Sequence, residues 1–192
     1  VQREYFVLKR ARSQEHPLLA WAQSAAAFRK GGKVAEDVPV QLRIGEPEPS
    51  KPLMVDHHSL PAPVVSPRLK TVLESAKLEG VQFVPADVHV RDSVLRYWLV
   101  HMWRRIACMD PERSVYERSP SGAALMGLDR LVLDESVLGD IPLEERLAFR
   151  LDEAVVHLFH RSVVEQVLSM SPPPEGLRFI PVEEWNDSSA FR

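Results

Sequence analysis

Residues 66–85, SPRLKTVLESAKLEGVQFVP, and residues 162–181, SVVEQVLSMSPPPEGLRFIP, carry the same order of chemical signals 96 residues apart. In the first, Ser66 before Pro67 is a helix start: the hydroxyl accepts from an orphan amide, and proline occupies the first helical position, where no donor is needed. In the second, Ser162 with Glu165 three positions on has the spacing of a capping box. Leu69, Val72, Leu73 and Ala76, and again Val163, Val164, Val167 and Leu168, then recur at helical spacing. Gly80 closes the first helix, and Pro172-Pro173-Pro174 with Gly176 closes the second. Val81-Gln82-Phe83-Val84 and Leu177-Arg178-Phe179-Ile180 follow as short strands, each ended by proline.

The match extends outward at the same offset. Asp56 pairs with Asp152, Glu79 with Glu175, Phe83 with Phe179 and Pro85 with Pro181, while Val55, Val81 and Val84 face Leu151, Leu177 and Ile180. Each half also opens on an aromatic and aliphatic run, Glu4-Tyr5-Phe6-Val7-Leu8 and Arg96-Tyr97-Trp98-Leu99-Val100, here 92 residues apart. Such runs suit half-buried strands. The expected fold is therefore α+β, a mixed sheet with helices, built from two related halves (about residues 4–90 and 96–185) within one domain spanning 1–192.

Between these parts the reading is plainer. The Ala-rich stretch 17–28 predicts a helix ending at Gly31-Gly32, residues 38–44 a strand, and residues 45–52 a proline-rich loop. The run from Arg96 to Trp103 predicts a central strand buried on both sides, with Trp98, Val100 and Met102 on one face and Tyr97, Leu99, His101 and Trp103 on the other.

Composition narrows the function classes. Of 192 residues, 45% are hydrophobic and 27% charged, as expected of an ordinary globular domain with a sizeable core. The formal charge of −3, from 24 basic and 27 acidic residues, is far from that of a dedicated nucleic-acid binder. The lone Cys108 has no internal disulfide partner, which fits a reducing compartment, and the cytoplasm is expected. The first residues, with Arg3, Lys9, Arg10 and Arg12, hold no apolar run for a signal peptide, although a start at Val1 rather than Met suggests a segment removed upstream. No run of about 18 apolar residues predicts a membrane helix.

Catalytic signals are sparse. The eight glycines form no phosphate-cradling pattern, and Ser119-Pro120-Ser121-Gly122 reads as a turn rather than a nucleophile elbow. Cys108, among apolar neighbours, reads as a buried inert thiol. His157 and His160, with Asp152 nearby, would chelate zinc on a helix, but residues 155–160 read as a strand, where odd spacing sends the two rings to opposite faces. His57 and His58 diverge for a similar reason. Arg96, Arg104 and Arg105, interleaved with Tyr97, Trp98 and Trp103, superficially suit stacked bases and phosphates, but the aromatics are explained as core.

Charge is unevenly placed. From Asp129 to Glu153 there are eight acids against three arginines, Arg130, Arg146 and Arg150, a net −5. Such a patch can steer a basic partner. Leu131, Val132, Leu133, Val137, Leu138 and Ile141 lie between the acids as material for an apolar anchor.

The order of features resembles the bacterial polymorphic-toxin immunity family called immunity protein family 11. The likeness runs through Tyr5-Phe6-Val7-Leu8, Trp21, Val65-Ser66-Pro67-Arg68-Leu69 and Val81 to Pro85. It continues with Tyr97-Trp98, Cys108-Met109-Asp110, Ser114, Phe149-Arg150-Leu151 and Gly176 to Val182, covering roughly residues 4–185. The resemblance implies a non-enzymatic protector, without cofactor, that binds a cognate antibacterial toxin inside the producing cell. It carries no catalytic positions. With the acidic segment, the expectation is an inhibitor of a basic nuclease that touches it through Asp134, Glu135, Asp140, Glu144 and Glu145, is a monomer when free, and binds neither membrane nor nucleic acid directly. The alternatives are a small metal-dependent hydrolase using His157, His160 and Asp152, and a nucleic-acid-binding module using Arg96, Arg104 and Arg105.

Overall fold

Ser66 caps a helix as its chemistry requires: its Oγ accepts from the Leu69 N–H at 3.3 Å, and Pro67 opens helix α1 (Pro67–Ser75). The computed structural model describes residues 1–190. In chain order the first strands are β1 (Tyr5–Arg10), β2 (Leu19–Trp21), β3 (Val40–Ile44), β4 (His57–His58), β5 (Val64–Val65), β6 (Val81–Val90) and β7 (Ser93–Met102). The second part of the chain adds β8 (Arg105–Ile106), β9 (Val115–Arg118), β10 (Leu125–Arg130), helix α2 (Glu135–Gly139), β11 (Ala148–Leu151), β12 (His157–His160), helix α3 (Arg161–Leu168) and β13 (Leu177–Pro181). This is an α+β fold with mixed sheets.

A six-stranded sheet runs β2-β3-β6-β7-β5-β4, a five-stranded sheet β13-β1-β12-β11-β8, and β9 and β10 form a separate hairpin. Most pairs are antiparallel, with parallel contacts between β3 and β6 and between β8 and β11. β7 is central and buried on both faces, as its composition predicts: Tyr97 and Leu99 enter one core, Val100 and Met102 the other. Helices α1 and α3 bury Leu69, Leu73, Val163, Val164 and Val167 in that second core, against β7 on one side and Ala148 and Phe159 of the five-stranded sheet on the other. The outer face of the five-stranded sheet carries a further core, in which Tyr5, Phe149 and Leu158 meet Leu131, Leu133, Leu138 and Trp185.

β5-α1-β6 straddles β7, with Leu99 between Val64 and Val84, and β12-α3-β13 straddles β1, with Val7 between Leu158 and Ile180. Val7 and Leu99 are 92 residues apart, Val64 and Leu158 94, and Val84 and Ile180 96, so the expected constant 96-residue repeat is not maintained along the chain. The predicted capping box at Ser162 accordingly fails. The cap of α3 is His160, whose ring Nδ1 accepts from the Ser162 N–H, and Ser162 lies inside the first turn.

Two other expectations are corrected. The Ala-rich stretch forms no α-helix: Leu19–Trp21 pairs with Leu42–Ile44 as β2, and only Ala26–Arg29 turns, as a 3-10 helix. Helix propensity is a weak prior, and here an edge pairing that buries Leu19 outweighs it. Pro85 does not end β6 either. The Val100 N–H donates to Pro63 O, away from β6, and by the two-residue alternation the backbone of Trp98, the partner of Pro85, also faces away from β6, toward Val65 of β5. Pro85 thus owes β7 no donor, and its other side lies just before pairing with β3 begins at Ala86. Trp103 falls just beyond the end of β7.

Candidate functional site

The acidic segment folds as β10, α2, a 3-10 turn (Leu143–Glu145) and β11, over the outer core of the five-stranded sheet. Leu131, Leu133 and Leu138 are fully buried there, and Val137 and Ile141 pack against them. That corrects the expected apolar anchor: these side chains hold the segment down and are not offered to a partner. The exposed apolar group is Leu143, 41% accessible, beside Glu144.

The five acids divide by what they bind. Asp134 is the N-cap of α2, accepting from Ser136 N and Oγ at 2.9 and 2.7 Å and from Val137 N at 3.2 Å; these bonds, the Ser136 hydroxyl foremost, hold its carboxyl below the usual range. Glu135 accepts from the Gln2 N–H at 3.1 Å, which lowers its pKa likewise. Glu145 takes the Arg104 guanidinium at 2.6 Å, and Arg104 also reaches Glu79 at 2.9 Å. The Asp140 and Glu144 side chains are exposed and make no hydrogen bond or ion pair among the described residues. Two of the segment's three arginines are drawn inward, while Arg130 stays exposed and donates to Arg113 O. Arg146 donates to the Tyr5 hydroxyl at 2.6 Å and to Ile141 O at 2.9 Å, and Arg150 lies on the face between the two sheets. The outer surface of the 3-10 turn is therefore more acidic than a residue count suggests.

The other candidates are dispersed. His157 pairs with Arg150 across β11 and β12 and lines a cavity, whereas His160 caps α3 and meets the Tyr5 ring edge-on. Burial, then the charge of Arg150, pushes the His157 ring down to about 3. Asp152 makes no contact with either ring, and among the described residues no three His, Cys, Asp or Glu side chains gather to hold a metal. His57 and His58 turn opposite ways, toward Gly176 O at 3.1 Å and Pro17 O at 2.9 Å, and burial pushes both down to about 4. Arg96 is paired with Asp87 and Arg104 with two glutamates, so with Arg105 they form no continuous basic track. Cys108 is 1% exposed, and burial pushes its thiol up to about 12, which makes it inert.

Sequence reasoning missed the cavity between the sheets, about 220 Å³, whose lining includes Arg29, Arg105, Arg150, His101 and His157. Arg105 and Arg150 meet only because β8 and β11 pair in parallel, and no local signal announces that pairing.

Among the described residues no helix is long and apolar enough to cross a membrane. No curated protein matches the chain. A family model does: that of the immunity protein family Imm11 matches residues 7–184 of the 192, and the chain belongs to that family.

Proposed function

We propose that this chain neutralises its cognate toxin by stoichiometric, non-enzymatic binding, that the toxin is a basic nuclease met in the cytoplasm, and that the acidic segment after β10 faces it. Membership in an immunity protein family carries the first part, since it implies a toxin-neutralising role and hence a toxin partner. The arrangement of charge supports the rest. Asp140 and Glu144 stand free beside the exposed Leu143, with Glu135 and Glu145 on the same segment, while Arg146 is spent inside. An acidic surface of this kind suits a groove built for phosphates, and complementary potential accelerates encounter by one to three orders of magnitude. Asp134 acts within this surface chiefly by holding α2 in place. In the same reading the free protein is a monomer and binds neither membrane nor nucleic acid.

Because the Asp140 and Glu144 carboxylates bond to nothing internal among the described residues, reversing both to lysine leaves the fold intact. Stopped-flow association with the cognate toxin should then slow by about tenfold or more at low salt, and the rate should depend less on salt. An unchanged rate and salt dependence would remove this segment from the interface.

A further inference from the structure

We infer that the cavity between the two sheets is a binding site for a phosphate-type oxyanion, held by Arg150 and Arg105 with Arg29. Arg150 is paired with Arg105 on β8 and with His157 on β12, so the three side chains leave adjacent strands as one row on one face. By alternation that is the inward face, which elsewhere carries Phe6, Leu8, Ala148 and Phe159. Like charges directly opposite on a sheet repel; Arg105 and Arg29 reach solvent, but the half-buried Arg150 gains nothing from the apolar face around it.

No ion pair among the described residues resolves this. Most described arginines donate to a carboxylate, a carbonyl or a hydroxyl. Arg12, Arg29, Arg105 and Arg150 alone make no side-chain hydrogen bond or ion pair among the described residues, and three of these four line this one cavity. No acid lines it. The Arg150 Nε is fully buried and has no partner, an arrangement that costs stability unless a ligand completes it. The repulsion is felt: burial, then Arg105, lowers the Arg150 pKa, with Asp152 opposing.

Guanidinium pairs match the geometry of phosphate oxygens, and charge-assisted bonds of this type are the strong ones. The cavity is smaller than the roughly 300–1,000 Å³ of drug-sized ligand pockets, so it fits an oxyanion with a small substituent. Trp21, Phe28 and Trp103 form the wall on which such a substituent would rest.

The test is thermal unfolding and titration calorimetry of the whole chain with inorganic phosphate and phenyl phosphate, against sodium chloride at equal ionic strength. Phosphate should raise the melting temperature where chloride does not, and Arg150→Gln should weaken binding at least tenfold. The exposed Arg105→Gln should weaken it similarly without loss of unliganded stability, which keeps the test independent of any folding defect at position 150. Tighter binding of phenyl phosphate assigns the aromatic wall to an esterified ligand, and tighter binding of inorganic phosphate assigns the site to the free ion. Phosphate that acts no differently from chloride, or that binds both variants as tightly as it binds the unsubstituted chain, overturns the proposal.

Discussion

Asp56→Ala should lower unfolding free energy by about 3 kcal/mol, a fall of roughly 10 °C in melting temperature for a chain of this size. Asp56 is only 8% exposed, yet its carboxylate accepts four hydrogen bonds: from Ser66 Oγ at 2.7 Å, Arg68 Nε at 2.9 Å, Arg68 Nη2 at 2.7 Å and the Glu175 N–H at 2.9 Å. Burial alone would raise its pKa, but Arg68, Ser66 and the Glu175 amide pull it below the usual carboxylate range. Each partner serves a second structure. Ser66 caps α1, and Arg68 donates to Pro172 O and Pro173 O at 2.8 and 3.0 Å. The carboxylate thus ties the start of α1 to the loop that leads into β13. Removing it leaves a buried hydroxyl and a backbone amide without their acceptor, and frees Arg68 from its closest anchor. Urea titration of the Asp56→Ala and Asp56→Asn variants measures this, with asparagine losing less because it retains an acceptor oxygen. A loss below 1 kcal/mol for alanine would show that the loop is held by other contacts. The sign with pH follows from the lowered pKa: the stability contributed by this carboxylate is present above the unfolded value and is lost as pH falls through the folded one.

A comparable loss, about 3–4 kcal/mol, is expected for Gly176→Ala. Gly176 has φ +86°, a conformation that costs an alanine about 1–2 kcal/mol. A Cβ there would also collide with Val55 Cγ2 and lie 2.6 Å from His57 O. Neither neighbour can yield cheaply, since Val55 is buried and the backbone of His57 is held in the β4–β5 pair. The glycine carbonyl is itself in use, accepting from His57 Nδ1 at 3.1 Å and from the Ala11 N–H at 2.9 Å. Gly122→Ala is the control. It has φ +72° with nothing within 4 Å of a Cβ, so it should lose only the conformational part, about 1 kcal/mol. Equal losses at the two positions would mean that strain, not the close approach, sets the cost.

What could be read from the sequence follows the range of the signals. The Ser66-Pro67 cap, the two-sided burial of β7 and the strand at His157–His160 rest on chemistry within a few residues, and each stands where it was expected. The α3 cap was misplaced because an imidazole nitrogen accepts as well as a hydroxyl, and His160 sits two residues before the serine that looked conventional. The Ala-rich helix failed because Leu19–Trp21 is claimed by a strand more than 20 residues away. For the acidic segment, counting charges located the stretch but could not say that Asp134 is a cap, that Glu145 belongs to Arg104, or that Arg146 turns inward. The Arg105–Arg150 row was invisible because it exists only once two distant strands pair.

The central claim is that one copy of this protein silences its toxin by binding it. The direct measurement is residual activity of a fixed amount of the cognate toxin, titrated with the purified chain at concentrations well above the dissociation constant. The account requires a linear fall to zero at one equivalent, reached as soon as the two have associated and unchanged by longer incubation. Inactivation that continues with time at a small fraction of an equivalent, or full toxin activity at an excess of the chain, would contradict it.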